Sequence, residues 1–202
     1  LAATLLASAT ARFVYDVFAF ARDRANGAIS PPAVYSIARE THVSDLGPTE
    51  RSKIQLSVSY SDGMGREIQK KIPAEPGSIV PGGAIVNPRW VGSGWVILNN
   101  KGKPVRRYEP FFTAAHVFEF ARIKGVSATL FYDPLERVVA TLHPNHSYEK
   151  TTFTPWQQTT WDTNDTVLSD PTEDADVREH FVKLPQAELL PTWYQKRISG
   201  EL

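Results

Sequence analysis

The chain has no cysteine, so disulfides and thiolate metal sites are excluded, and neither redox compartment is ruled out. It has no charge of one sign in excess, with Lys+Arg and Asp+Glu at 22 each. A nucleic-acid partner needs a clustered basic surface, and this balance gives no reason to expect one. No apolar run approaches the ~20 residues that a membrane helix needs, so no direct membrane insertion is expected. Methionine occurs once, at Met64, and the chain opens within the apolar stretch LAATLLASAT. That stretch lacks a basic start and is interrupted by Thr4, Ser8, Thr10 and Arg12. It therefore reads as the start of a fragment of a longer protein rather than as a signal segment. Hydrophobic residues make up 42% and charged residues 22%, the range of a folded globular chain rather than a disordered one.

What is present is strand grammar. Residues 54–60 alternate, with Ile54, Leu56, Val58 and Tyr60 against Gln55, Ser57 and Ser59, which predicts a strand with one buried face. Asp62-Gly63-Met64-Gly65 follows as a turn, and residues 66–72 return. The same grammar recurs at Asn99-Asn100-Lys101-Gly102-Lys103 and at Asp133-Pro134-Leu135-Glu136-Arg137. The anchors Asp62, Asn99 and Asp133 lie 37 and 34 residues apart, a spacing that predicts like units set side by side. The glycines of the frame, Gly65 and Gly102, are expected at positive φ, as in a three-residue hairpin with a bulge. Glu136 stands where the others have glycine. It would adopt that conformation at a cost of about 1 kcal/mol, so a different turn type is expected there. Residues 138–142 and 147–153 read as strands broken by His143-Pro144-Asn145-His146.

Elsewhere, residues 12–18 read as a strand that continues through residue 22, and residues 34–43 as another. Residues 73–88, rich in proline and glycine, read as a flexible insertion. Residues 90–98 read as one strand, bulged at Gly92-Ser93-Gly94. Residues 110–116 read as a loop with a short helical turn, and Phe118, Phe120 and Ile123 as packed on the sheet. Beyond residue 162 the chain turns acidic and polar. A helix is expected over 175–184, capped by Thr172 or Asp174, and a second short one over 187–197 with an internal start at Pro191-Thr192-Trp193.

Candidate chemistry is sparse. His143 and His146, with Asp133 and Glu149 near in sequence, form the sharpest metal pattern, but a turn around Pro144-Asn145 is a poorer frame than a His-containing helix, and no metal site is assigned. Glu109, Glu119, Asp162 and Asp165 have nothing in the sequence that pairs them as a glycosidase acid and base. There is no nucleophile elbow and no phosphate loop. Trp90, Trp95, Trp156, Trp161 and Trp193 are expected in the core or in inter-strand ladders, with Trp156, in a turn, the exception. Arg66, Arg106, Arg107 and Arg137 are expected to pair with turn carboxylates on neighbouring hairpins. No enzyme activity and no cofactor are expected.

The frame Y-S-D-G-M-G-R at Tyr60–Arg66, with Tyr132 and Asp133 in a second copy, resembles the Y-D-x-x-G-R repeat of Rhs-type proteins. The longer runs SVSYSDGMGREIQKK, RWVGSGWVILNNKGKPVRRYEPFF, LFYDPLERVVATLHPNHSYEK and LPQAELLPTWYQKR resemble the Rhs-like middle region of the B component of bacterial Tc (insecticidal) toxin complexes. The resemblance covers residues 12–197. It implies a mostly-β chain, an antiparallel hairpin meander in a large twisted sheet, with short helices near the C-terminus. Residues 1–202 would then be a single segment of a larger shell: leading strands and loops over 1–53, hairpins over 54–162, and a polar linker with short helices over 163–202. It implies a secreted container wall that encloses a toxic polypeptide. The C component would be shell partner and cargo, and the A-component pore would be reached through other parts of the full-length protein. Asp62, Gly65, Arg66, Asn99, Gly102, Lys103, Tyr132, Asp133 and Arg137 are then structural turn positions. A second function class is a carbohydrate-binding or adhesin-like β-domain using exposed aromatics. A third is a hydrolase using His143, His146 and a carboxylate.

Overall fold

Alternation of apolar and polar residues builds most of this chain, which is antiparallel β with a few short helices. The computed structural model describes residues 2–201. Leu1, where the apolar opening stretch begins, and Leu202 lie outside the described residues. The chain divides into two compact units. One comprises Leu1–Trp95 with Glu109–Lys124, and the other Val96–Tyr108 with Gly125–Leu202.

In the first unit the chain runs through α1 (Ala2–Leu6), β1 (Ala11–Asp16), α2 (Ala19–Arg24), β2 (Ala33–Arg39), β3 (Ile54–Ser61), β4 (Glu67–Ala74) and β5 (Arg89–Gly92). It later returns as β8 (Phe111–Thr113). These strands form one antiparallel sheet in the order β1-β2-β3-β4-β5-β8. Register sets the two faces. Val14, Tyr35, Val58 and Lys71 stand in one row across β1 to β4, and Asp16, Ala33, Tyr60 and Gln69 in the next. That face is the buried one, with Ala33, Val58 and Tyr60 as its core and Trp90 and Phe118 packed against them. The opposite face carries Ser36, Ser57, Ser59 and Lys70, as period-two alternation requires.

The buried face is closed by residues 114–120, an irregular segment held by buried polar side chains. The Gln69 amide donates to the Glu119 carbonyl at 3.0 Å and accepts from the Glu119 N–H at 2.9 Å, so a side chain does the pairing of a missing strand. Lys71, fully buried, donates to the Ala115 carbonyl at 3.3 Å and forms an ion pair with Glu119. The Tyr60 hydroxyl donates to the His116 carbonyl at 2.7 Å.

The second unit holds β6 (Val96–Leu98) paired with β7 (Pro104–Arg107). It also holds a four-stranded antiparallel sheet of β9 (Thr129–Tyr132), β10 (Val138–Leu142), β11 (Tyr148–Phe153) and β12 (Gln158–Trp161). Two short helices follow, α3 (Arg178–Phe181) and α4 (Trp193–Ser199). Their chain packs on the sheet through a core of Ala140, Leu142, Tyr148, Val177, Phe181 and Leu189.

Several elements differ from the sequence expectation. Residues 19–24 form α2 instead of extending β1: Ala19 is buried, and the Arg22 guanidinium donates back to Asp16 at 3.0 and 2.8 Å, which turns the chain at the strand end. The expected strand over 90–98 is two strands in different units. β5 stops at Gly92, where an added Cβ would lie 2.6 Å from the Phe111 ring. Residues 111–113 are strand β8 against β5, not a helical turn. Phe118 packs as expected, whereas Phe120 and Ile123 are exposed. The insertion before β5 is a β4–β5 connection in which Gly77 pairs with Val86, and Arg89 donates to the Glu75 and Ser78 carbonyls.

The expected helix over 175–184 shrinks to the single turn α3. Asp174 does not cap it, because its carboxylate takes the Tyr148 hydroxyl at 2.7 Å and Lys150 at 2.9 Å. The last helix is shorter than expected but fully capped. Thr192 accepts from the Gln195 N–H while the Gln195 side chain reaches back, and Gly200 closes the other end.

Candidate functional site

The acidic-start frame produces one backbone shape each time it occurs. In the first unit the Asp62 N–H donates to the Arg66 carbonyl at 2.9 Å and the Gly65 N–H to the Asp62 carbonyl at 3.1 Å. In the second unit the same two bonds form at Asn99 with Lys103 and Gly102 (2.8 and 2.9 Å) and at Asp133 with Arg137 and Glu136 (3.0 and 2.9 Å). The first side chain then locks the loop from within. Asp62 accepts from the Met64 and Arg66 N–H groups, Asn99 from those of Lys101 and Lys103, and Asp133 from that of Arg137. This is why Asp and Asn are interchangeable there: both offer an oxygen to their own turn.

The fourth position needs positive φ. Gly65 sits at 78°, Gly102 at 80° and Glu136 at 67°. Glu136 therefore keeps the glycine conformation and the turn type does not change, contrary to the expectation for that loop. At Glu136, where positive φ is strained as it is not for glycine, the backbone bonds across the turn hold the geometry. A register shift accompanies each of the three hairpins, at Tyr60/Ser61, Ile97/Leu98 and Val138/Ala140.

Arg66 and Arg137 do not reach neighbouring hairpins, which corrects the expectation for these pairs. Each forms a salt bridge at 2.7 Å with the aspartate of its own turn, four residues back. The neutral Asn99 leaves its lysine free to go elsewhere: Lys103 pairs with Glu136 of the adjacent turn at 3.1 Å, and Lys101 donates to the Pro134 carbonyl at 2.8 Å. Two successive turns of the second unit are thus tied to each other. Tyr132, before the second of them, donates its hydroxyl to the Pro104 carbonyl at 2.8 Å. Arg106 reaches Thr129 and Glu188 of its own unit.

Sequence reasoning missed a fourth copy. His143-Pro144-Asn145-His146-Ser147 makes the same two backbone bonds, both at 2.9 Å, with His146 at φ 69°. No letter of the Asp-Gly-Arg frame survives except in role. Asn145 supplies the locking oxygen, accepting from the Ser147 N–H at 3.0 Å. The signal available was the spacing: a strand of five residues separates this turn from the one at Asp133.

The metal pattern does not assemble. His143 lies 2.6 Å from a Glu149 carboxylate oxygen across the β10–β11 hairpin, His146 faces the Pro191 carbonyl at 2.9 Å, and Asp133 sits at the other end of β10 in its own salt bridge. Among the described residues, no group of three or more His, Cys, Asp or Glu is placed to hold an ion. Glu119 is used by Lys71, and Asp162 and Asp165 bond each other's backbone in a turn.

The tryptophans do not form a row on one sheet face. Trp90 joins the first core, Trp95 packs on Phe118 and Phe120, and Lys150 lies over Trp161 at 4.7 Å. Trp156, in the β11–β12 turn, is 95% exposed.

What remains conspicuous among the described residues is unpaired strand edge. β1 and β8 end the six-stranded sheet, and β12 and β9 end the four-stranded one. β1 is exposed along almost its whole length, with Phe13, Val14 and Tyr15 all uncovered. Beside it Val17, Phe18 and Phe20 are also exposed. Such an edge is a template for pairing with further strands.

No protein-family model matches the chain, and no curated protein matches it. Solved structures do. The chain is similar to the crystal structure of TcdB2-TccC3, with a TM-score of 0.58 and 25% identity over 78% of this chain and 8% of that one. It is similar to the crystal structure of TcdB2-TccC3-Cdc42, with a TM-score of 0.55 and 28% identity over 71% of this chain and 7% of that one. The Tc holotoxin pore of Photorhabdus luminescens matches in fold, with a TM-score of 0.56 and 23% identity over 79% of this chain and 8% of that one. The fold is therefore like that of a Tc toxin B/C-component chain, and this sequence spans less than a tenth of such a chain.

Proposed function

We propose that this chain is a non-catalytic segment of an Rhs-type shell wall, of the kind formed by Tc-toxin B components, which encloses a toxic polypeptide for delivery outside the producing cell. The observation that carries the reading is the β1 edge. A six-stranded sheet that ends in an exposed, apolar, unpaired strand is suited to continue into a larger sheet. The likeness to TcdB2-TccC3 supports the same reading. So does the recurring turn, which ends each ribbon with its own internal lock and, in the second unit, ties to the next turn. The YD-type frame at Asp62, Asn99 and Asp133 is, on this reading, the Rhs repeat in diverged form, and the C component is the shell partner and cargo.

The test is replacement. The matching stretch of a TcdB2 chain is exchanged for this sequence and the hybrid is mixed with TccC3. A complex that shields the C-terminal part of TccC3 from protease supports the reading. A hybrid that folds, binds TccC3 and leaves that part open to cleavage sinks it.

One observation favours a second reading. Trp156 presents nearly its whole indole to solvent at a turn, as a sugar-stacking aromatic would. Binding on a glycan array that disappears on Trp156→Ala supports it, and an empty array removes it.

A further inference from the structure

The triplet Asn-x-Ser/Thr, with any residue but proline in the middle, is the acceptor pattern for an N-linked glycan. It occurs twice in this sequence, at Asn145-His146-Ser147 and at Asn164-Asp165-Thr166. Both copies lie in the second unit, and the fold treats them differently. Asn145 is exposed in the turn between β10 and β11. Its side-chain oxygen accepts from the Ser147 N–H at 3.0 Å and from the Ser147 hydroxyl at 2.7 Å. The nitrogen end of the amide, with its two N–H groups, enters none of the hydrogen bonds among the described residues. A hydroxyl donating to the amide oxygen draws charge onto that oxygen and makes the amide N–H more acidic. Asn164 is exposed as well, but its triplet is locked. Thr166 is buried, and its hydroxyl donates to the Tyr148 carbonyl and, at 3.2 Å, to the Asp162 carbonyl. That hydroxyl cannot turn to Asn164 without giving up a buried bond.

We propose that Asn145, and not Asn164, is the acceptor site for an N-linked glycan in the folded chain. The co-reactant is an oligosaccharide carried on a polyprenyl diphosphate. A bond from C1 of the first sugar to Nδ2 of Asn145 forms as the bond from C1 to the diphosphate oxygen breaks. The polyprenyl diphosphate leaves with the electron pair, the displaced amide proton passes to a base of the transferase, and nothing is oxidised or reduced. The surroundings of Asn145 leave room for the product. An open depression of about 440 Å³ lies beside it, bounded by His143, Pro144, Glu149 and Thr163. Glu149 and Thr163 offer a carboxylate and a hydroxyl to the hydroxyl groups of the first sugar. The site sits at the tip of a hairpin, so the glycan adds to the turn without disturbing the ladder between β10 and β11. The inference does not rest on the wall reading, and its failure leaves that reading standing.

The test uses the full folded chain, a polyprenyl-diphosphate-linked oligosaccharide, and an oligosaccharyltransferase that glycosylates short peptides of both triplets. The intact mass of the chain is expected to rise by one glycan, and peptide mapping to place that glycan on Asn145. Asn145→Gln is expected to lose the mass shift, and Asn164→Gln to keep it. Ser147→Ala is expected to lose it with an unchanged circular dichroism spectrum, and Ser147→Thr to retain it. A folded chain that takes up no glycan, although the peptides do, overturns the proposal. So does a folded chain modified at Asn164 as readily as at Asn145.

Discussion

Asp62 and Asn99 do the same work with different charge, which separates the hydrogen bond from the ion pair. The N–H of Arg66 donating to it, against the cost of desolvation, and the Arg66 guanidinium together hold the Asp62 carboxyl below the ordinary aspartate range. Because its pKa is depressed in the folded state, its contribution is present above the unfolded aspartate pKa and is lost as the pH falls through the folded value. Asp62→Asn should keep the turn, as Asn99 does, and lose only the titrating part. Thermal midpoints of the two proteins should differ slightly at neutral pH and converge as the pH is lowered; a gap that widens in acid would contradict this. Glu136 offers the opposite experiment. Glu136→Gly relieves a left-handed conformation and gives up only an exposed pair with Lys103, so stability should rise by up to about 1 kcal/mol. Gly65→Ala should lower it by a similar amount. Urea unfolding of each variant measures both.

At the scale of elements, the segment over residues 114–120 depends on the buried side chains of Gln69 and Lys71. Glu119→Ala strands a fully buried ammonium and should cost about 3 kcal/mol, whereas Lys71→Met removes the charge along with its need and should cost far less. Gln69→Leu leaves the backbone N–H and carbonyl of Glu119 unmet and should cost about 1–3 kcal/mol. Denaturant midpoints rank the three, and amide exchange over residues 114–120 should quicken in Glu119→Ala and Gln69→Leu. An equal cost for Glu119→Ala and Lys71→Met would mean that the ammonium finds another partner. These dependences were invisible in the sequence. Gln69 and Lys71 read there as ordinary polar members of a returning strand, because their partners lie about 50 residues away. The alternation of residues 54–60 needed no such partner and was legible at once, as were the turns at Asp62 and Asn99, whose locking atoms lie within five residues; the copy at His143, without the Asp-Gly-Arg letters, was not. The break at Gly92 was hidden for the same non-local reason, since only Phe111 shows why that glycine must stay bare.

The whole molecule is mostly antiparallel β with a fold like that of Tc toxin B/C-component chains, and the long runs of sequence pointed there although no family model matches. What they did not convey is that the first unit is discontinuous. It is built from Leu1–Trp95 and completed by Glu109–Lys124, after the chain has made β6 and β7 of the other unit. A chain ended at Tyr108 should therefore lack a stable first unit, with Tyr60, Gln69 and Lys71 all bereft of the carbonyls they bind. Near-ultraviolet circular dichroism should lose the ordered aromatic signal of Tyr60 and Trp90 in that truncation, and a spectrum that kept it would refute the dependence. The same discontinuity bears on birth at the ribosome. Nearly a hundred residues of sheet must wait, uncovered on one side, through the making of a hairpin that belongs elsewhere, so the nascent chain passes through a stage in which its stickiest surface is on view and only later synthesis conceals it.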